Sequence, residues 1–77
     1  MGNLKPKLDV INQLNVLRAE KKITQQDLAD AIGVTRATVN ALEKGNYNPS
    51  LELAFRLSLY FEKNIHDIFK LGIGEQE

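Results

Sequence analysis

The stretch from Thr24 to Gly45 contains two helix starts and two helix stops, and no other feature of the chain narrows its fold as much. Thr24-Gln25-Gln26-Asp27 has the form of a capping box, in which the threonine oxygen accepts from the third amide and the acid reaches back. The helix it opens carries Leu28, Ala29 and Ile32 on one face. Gly33 stops that helix, because the residue after a helix often takes a left-handed conformation that glycine adopts without strain. Val34 plugs the turn. Thr35 caps a third helix that runs to about Lys44, with Val39 and Leu42 facing inward, and Gly45 ends it. Two short helices are thus joined by three residues, and the small Ala29 lets them cross closely.

The remaining segments follow the same logic. Residues 1–8 read as an irregular arm, since Gly2, Asn3 and Pro6 offer no period. Asn12 fits an N-cap for a first helix to about Lys22, with Leu14 and Leu17 facing inward. Gly45-Asn46-Tyr47-Asn48-Pro49 is a loop by composition. Ser50 caps a fourth helix, Leu51 to about Phe61, and Asn64 a short fifth, Ile65 to Phe69. Residues 9–71 form one domain on this reading, and 72–77 a tail. The fold class is all-α, with five helices.

Composition closes off several alternatives. With 77 residues and no cysteine, the chain supports one small core and no disulfide or thiolate metal site. His66 lacks a second imidazole and reads as a solvated surface residue, so no metal or cofactor is expected. No apolar run approaches the ~18 residues of a membrane span, and the start is not a secretory signal; the cytoplasm is the expected location. Ser50 and Thr35 read as caps rather than nucleophiles, and no catalytic set appears. An enzyme is not expected. A formal net charge of zero argues against nucleic-acid binding, but phosphate contact needs only a local basic face. Acids gather toward the C-terminal end, at Glu62, Asp67, Glu75 and Glu77.

Two capped helices joined by Gly33-Val34-Thr35 are the sequence image of a helix-turn-helix, which holds its second helix where a major groove can receive it. The run Thr24 to Ala29, Ile32 to Val39, Leu42 to Gly45 and Asn48 to Leu51 resembles the lambda-repressor-like, Xre-type regulators, over about Asn12 to Phe69. It is similar to their very short, single-domain members. The resemblance implies double-stranded DNA as partner. It implies phosphate contacts from Thr24 and Gln25, and a recognition face made by Thr35, Arg36, Ala37, Thr38, Asn40 and Ala41. Arg36 has the fork to read guanine N7 and O6. Ala37 and Ala41 either meet a thymine methyl or serve only as helix formers. Thr38 and Asn40 reach a base edge or a phosphate. Lys44, Asn46 and Tyr47 match positions that touch the adjacent backbone, though the Tyr47 ring is equally suited to packing over its own loop. Arg18 and Glu43 match a pair that commonly forms a buried salt bridge.

Three features depart from the family pattern. Gln13 and Asn15 replace basic residues, Glu62 stands where a glycine usually ends the fourth helix, and the first eleven residues extend beyond the shortest members. The expected consequences are fewer phosphate contacts per copy and a differently shaped turn at Glu62.

The fourth helix has two apolar stripes at about 100° per residue: Leu53, Ala54, Leu57 and Phe61, then Leu51, Phe55 and Leu59. One small domain buries the first; the second is expected to meet another copy. Val10-Ile11 and Phe69-Lys70-Leu71 resemble extended pieces that pair in the smallest family members. A short antiparallel β pair from the two ends is therefore expected, with Phe69 and Leu71 joining the dimer interface. The function expected is a dimeric repressor on a two-fold operator, with no small-molecule ligand. The alternative is a protein-interaction module or antitoxin-like partner on the same scaffold, which would show an apolar third helix rather than Arg36, Thr38 and Asn40.

Overall fold

Three of the helices start on a hydroxyl. In the computed structural model, which describes residues 9–72, the order is β1 (Val10–Asn12), α1 (Leu14–Lys21), α2 (Gln25–Ile32), α3 (Arg36–Glu43), α4 (Leu51–Phe61), α5 (Ile65–Ile68) and β2 (Phe69–Leu71). The expected arm, 1–8, and all of the expected tail except Gly72 lie outside the described residues. Thr24, Thr35 and Ser50 each accept a backbone N–H from the third residue of the helix they cap. At Thr24 the box is complete, since Asp27 Oδ2 accepts from the Thr24 amide at 3.0 Å. Gly33, at φ 79°, ends α2 in the left-handed region.

One cap is not where the periodicity suggests. Asn12 ends β1, and Gln13 takes the cap position of α1 without a side-chain bond. The cause is strand pairing, which keeps Asn12 extended opposite Phe69. Its side-chain oxygen still serves the first turn of α1, as expected: Oδ1 accepts from the Leu14 amide at 3.0 Å, while Nδ2 donates to the Leu42 carbonyl at 2.8 Å. The turn after α4 also differs from expectation, because Glu62 simply takes the left-handed conformation itself, at φ 55°. Its amide and that of Lys63 satisfy the Leu59 and Ser58 carbonyls. The turn keeps the glycine-type shape, and a side chain there costs about 1–2 kcal/mol.

β1 and β2 pair antiparallel, Val10 with Leu71, Ile11 with Lys70 and Asn12 with Phe69. Just past the ladder, the Gly72 amide donates to the Asp9 carbonyl at 2.7 Å. A two-stranded ribbon is marginal alone; here the Gln13 amide donates to the Ile68 carbonyl and fastens it to the bundle.

The core draws on every helix: Leu14 and Leu17, Leu28, Ala29 and Ile32, Val39 and Leu42, Leu53 and Leu57, and Ile68. Ala29 is fully buried, which is the condition for the close α2–α3 crossing. Arg56 of α4 donates from Nη1 to the Ile32 carbonyl at 3.1 Å, satisfying a free end group of α2. A Cβ at Gly33 would lie 3.0 Å from that nitrogen, so this glycine serves both the backbone turn and the approach of Arg56. The result is a rigid frame with α3 on its surface.

Candidate nucleic-acid interface

The face that α3 turns outward is set by what it buries. Val39 and Leu42 point into the core, which leaves Arg36 and Ala37 exposed and Thr38, Asn40 and Ala41 half-exposed. Thr35 and Thr38 begin this helix with linked hydroxyls, 3.0 Å apart, and the Thr35 oxygen accepts the Thr38 amide. Arg36 follows at once, in the first turn. Lys44, Asn46 and Tyr47 lie exposed just past the other end of the helix. The Tyr47 ring borders a shallow groove of about 200 Å³ with Val34, Leu53 and Arg56.

Behind this surface a polar chain connects three helices. Arg18 of α1 donates from Nε to Glu43 Oε2 at 2.7 Å and from Nη2 to Oε1 at 3.3 Å, and from Nη1 to the Ile23 carbonyl at 3.0 Å. Gln25 of α2 donates from Nε2 to Glu43 Oε1 at 3.0 Å and to Asn40 Oδ1 at 3.4 Å. The Glu43 side chain is 9% exposed and that of Arg18 21%. Burial alone would push the Glu43 carboxyl up. The hydrogen bonds from Arg18 and Gln25, with the Arg18 charge, outweigh it and bring the group below its ordinary value. Glu43 is therefore ionised and neutralised from within. The charges that α3 and its following loop present to solvent are those of Arg36 and Lys44, both positive.

Thr24 and Gln25 differ in what they have free. The Thr24 oxygen accepts the Asp27 amide and keeps its O–H to donate, whereas both Gln25 Nε2 hydrogens are directed into the chain. By helix geometry, the amides of Gln25 and Gln26 at the first turn of α2 have no partner within the helix, so they favour an anion there as well.

Three positioning residues escape a reading of the sequence: Asn12, which holds the Leu42 carbonyl; Arg56, which holds that of Ile32; and Gln25 as a link between α2 and α3. Only Arg56 had a local signal, its helical spacing of four from Glu52, to which Nη2 donates at 2.7 Å.

Among protein families, the helix-turn-helix model matches residues 14–68, most of the chain and all five helices. The chain belongs to this helix-turn-helix family. A helix-turn-helix-type transcriptional regulator of Methanocaldococcus jannaschii is 50% identical over 58 residues, covering 75% of this chain and 88% of that protein. The helix-turn-helix-type regulator YgzD of Bacillus subtilis is 43% identical over 60 residues, 78% of this chain and 91% of the relative. The cryptic phage CTXphi transcriptional repressor RstR of Vibrio cholerae is 34% identical over 50 residues, 65% of this chain and 45% of its own length. In fold, the chain matches a crystal structure of a candidate DNA-binding protein from Bacteroides fragilis, with a TM-score of 0.71 at 21% identity, over 79% of this chain and 98% of that one. By family, the chain is a helix-turn-helix transcriptional regulator with a DNA-binding fold. None of its described helices is long and apolar enough to cross a membrane.

Proposed function

We propose that this regulator is a sequence-specific repressor, working in the cytoplasm, that binds a two-fold operator as a homodimer with α3 of each copy in the major groove. One observation carries the DNA part: the outer face of α3 is polar and positive, because its single acid is neutralised from behind by Arg18. In this reading Arg36 takes a guanine edge, Ala37 and Ala41 meet thymine methyls, and Thr38 and Asn40 make polar contacts. The α2 N-terminus at Thr24 and Gln25, the cap at Thr35, and Lys44, Asn46 and Tyr47 beyond α3 flank them with phosphate contacts. Repression is favoured by the relative named as a repressor.

The dimer is supported by α4, where Leu51 is 70% exposed, Phe55 52% and Leu59 78%. Leu71 and Ile11 add half-exposed apolar area at the ribbon. Phe69 contributes less than its place in the sequence suggests, because its ring packs against the chain's own core. A two-fold axis through this face would set the two α3 helices about 34 Å apart, one DNA turn. It would also double the phosphate contacts of a copy with no net charge. A protein-docking module would place its apolar surface on α3; here that surface lies on α4.

Selection of bound sequences from random DNA at moderate salt tests the proposal. Enrichment of an inverted repeat with half-sites about 10 base pairs apart is the expected result. A single unrepeated motif would remove the dimer, and no enrichment at all would remove sequence-specific binding.

A further inference from the structure

The apolar stripe on the outer side of α4 is edged by charge on one side only. Leu51, Phe55 and Leu59 stand four residues apart, and at about 100° per residue Glu52 and Arg56 run along one edge of them. These two are the charged residues of α4; the other edge holds half-buried Ser58. Arg56 Nη2 lies 2.7 Å from Glu52 Oε2, with side chains 52% and 74% exposed, and a pair so exposed contributes little within one chain. Arg56 has N–H groups to spare after this bond and the one to the Ile32 carbonyl.

We propose that in the homodimer the two α4 helices run antiparallel, with Glu52 of each copy paired to Arg56 of the other. This rests on the dimer reading of α4 and gives it an orientation. A two-fold axis between antiparallel helices keeps like edges together and reverses their order, so that what lies before the axis in one copy meets what lies after it in the other. An axis level with Ala54, midway between Glu52 and Arg56, sets each acid against the arginine of the second copy. The apolar stripe is centred on Phe55, one residue further along, a rise of about 1.5 Å. One axis therefore serves both the apolar contact and the charges. Parallel helices would put the charged edges on opposite sides, each beside a Ser58 edge, and leave the charges unused. Because Arg56 also holds the Ile32 carbonyl, the acid of one copy then reaches the last turn of α2 in the other.

Exchanging the charges tests the pairing. A chain carrying both Glu52→Arg and Arg56→Glu still meets its own kind with opposite charges, but meets the parent acid to acid and arginine to arginine. One chain is labelled with heavy nitrogen, the two are mixed to equilibrium at low salt, and the dimers are weighed by native mass spectrometry. Mixed dimers should fall to about a tenth of the total, well below the half that chance gives. Chance mixing, or an excess of mixed dimers, overturns the proposal. The exchanged chain also loses the hold on the Ile32 carbonyl, so Glu52→Lys, which keeps Arg56, supplies a second test. Its dimer should dissociate about tenfold more readily than the parent's at low salt, and the difference should shrink at high salt. A Glu52→Lys dimer as tight as the parent's overturns the pairing, whereas a monomeric parent overturns the dimer reading beneath it.

Discussion

Helices α3 and α4 are built to the same recipe and face outward in opposite ways. Each starts on a hydroxyl cap, and each buries a stripe of Val, Leu or Ala in one core. The outer side of α3 carries Arg36, Thr38 and Asn40, and that of α4 carries Leu51, Phe55 and Leu59. They are also anchored differently. α3 is pinned by an ion pair and amides from α1 and α2, while α4 is held by apolar packing and Arg56. The lesson is that inward stripes decide the fold, and outward residues, free of that duty, decide the partner.

The largest break in this comparison is expected at the α3 anchor. Glu43→Ala leaves Arg18 half-buried and unpaired and should cost about 3 kcal/mol of stability, read by denaturant unfolding. For a small domain that is a large share of the total. A loss within a few tenths would show α3 held by apolar packing alone. The pH dependence has a definite sign. Because the Glu43 carboxyl is depressed in the folded chain, its contribution is whole above the ordinary value of 4.5 and is lost as pH falls through its lower folded value. Glu43→Gln should show a shallower acid limb.

Next comes the outer face of α4. Phe55→Glu should weaken dimerisation at least about 100-fold, since two copies each place a charge in an apolar contact. Sedimentation at micromolar concentration checks it; a monomeric parent, or an unaffected dimer, would leave the apolar stripe without its assigned partner. Arg36→Ala tests the face opposite in kind. Operator binding should fall by about 2 kcal/mol with relaxed choice at one base pair per half-site, while random DNA loses less. Equal losses would make Arg36 a backbone contact. The smallest effect is at the end of α4, where Glu62→Gly should stabilise the chain by about 0.5–1 kcal/mol in thermal unfolding, relieving a left-handed side chain.

How far the sequence could be read depended on the distance between partners. Thr24, Thr35 and Ser50 were legible because a cap bonds within its own first turn. Gly33 was legible as a stop, and the stripes of α2, α3 and α4 as core, because periodicity is local. Asn12 was legible as an acceptor for the first turn of α1, but its strand partner, Phe69, and the carbonyl it holds, at Leu42, both remote in sequence, were not. Glu62 misled because glycine is a preference at a left-handed position and not a requirement. At the interface, the polar character of α3 was visible in the residues themselves. The polar chain behind it was not, since it depends on Gln25 of α2 meeting Asn40 and Glu43 of α3.

The ribbon of β1 and β2 joins residues about sixty positions apart, whereas α2 and α3 meet across a three-residue turn. Closing so long a loop is favourable only after the helices have drawn the two strands together, so the ribbon zips last. It can also open first, as a unit smaller than the domain, with the bundle still packed. When it does, Asn12 lets go of the Leu42 carbonyl. The C-terminal turn of α3 thereby reports on whether the two strands of the ribbon are together, and hydrogen exchange along α3 would register each opening.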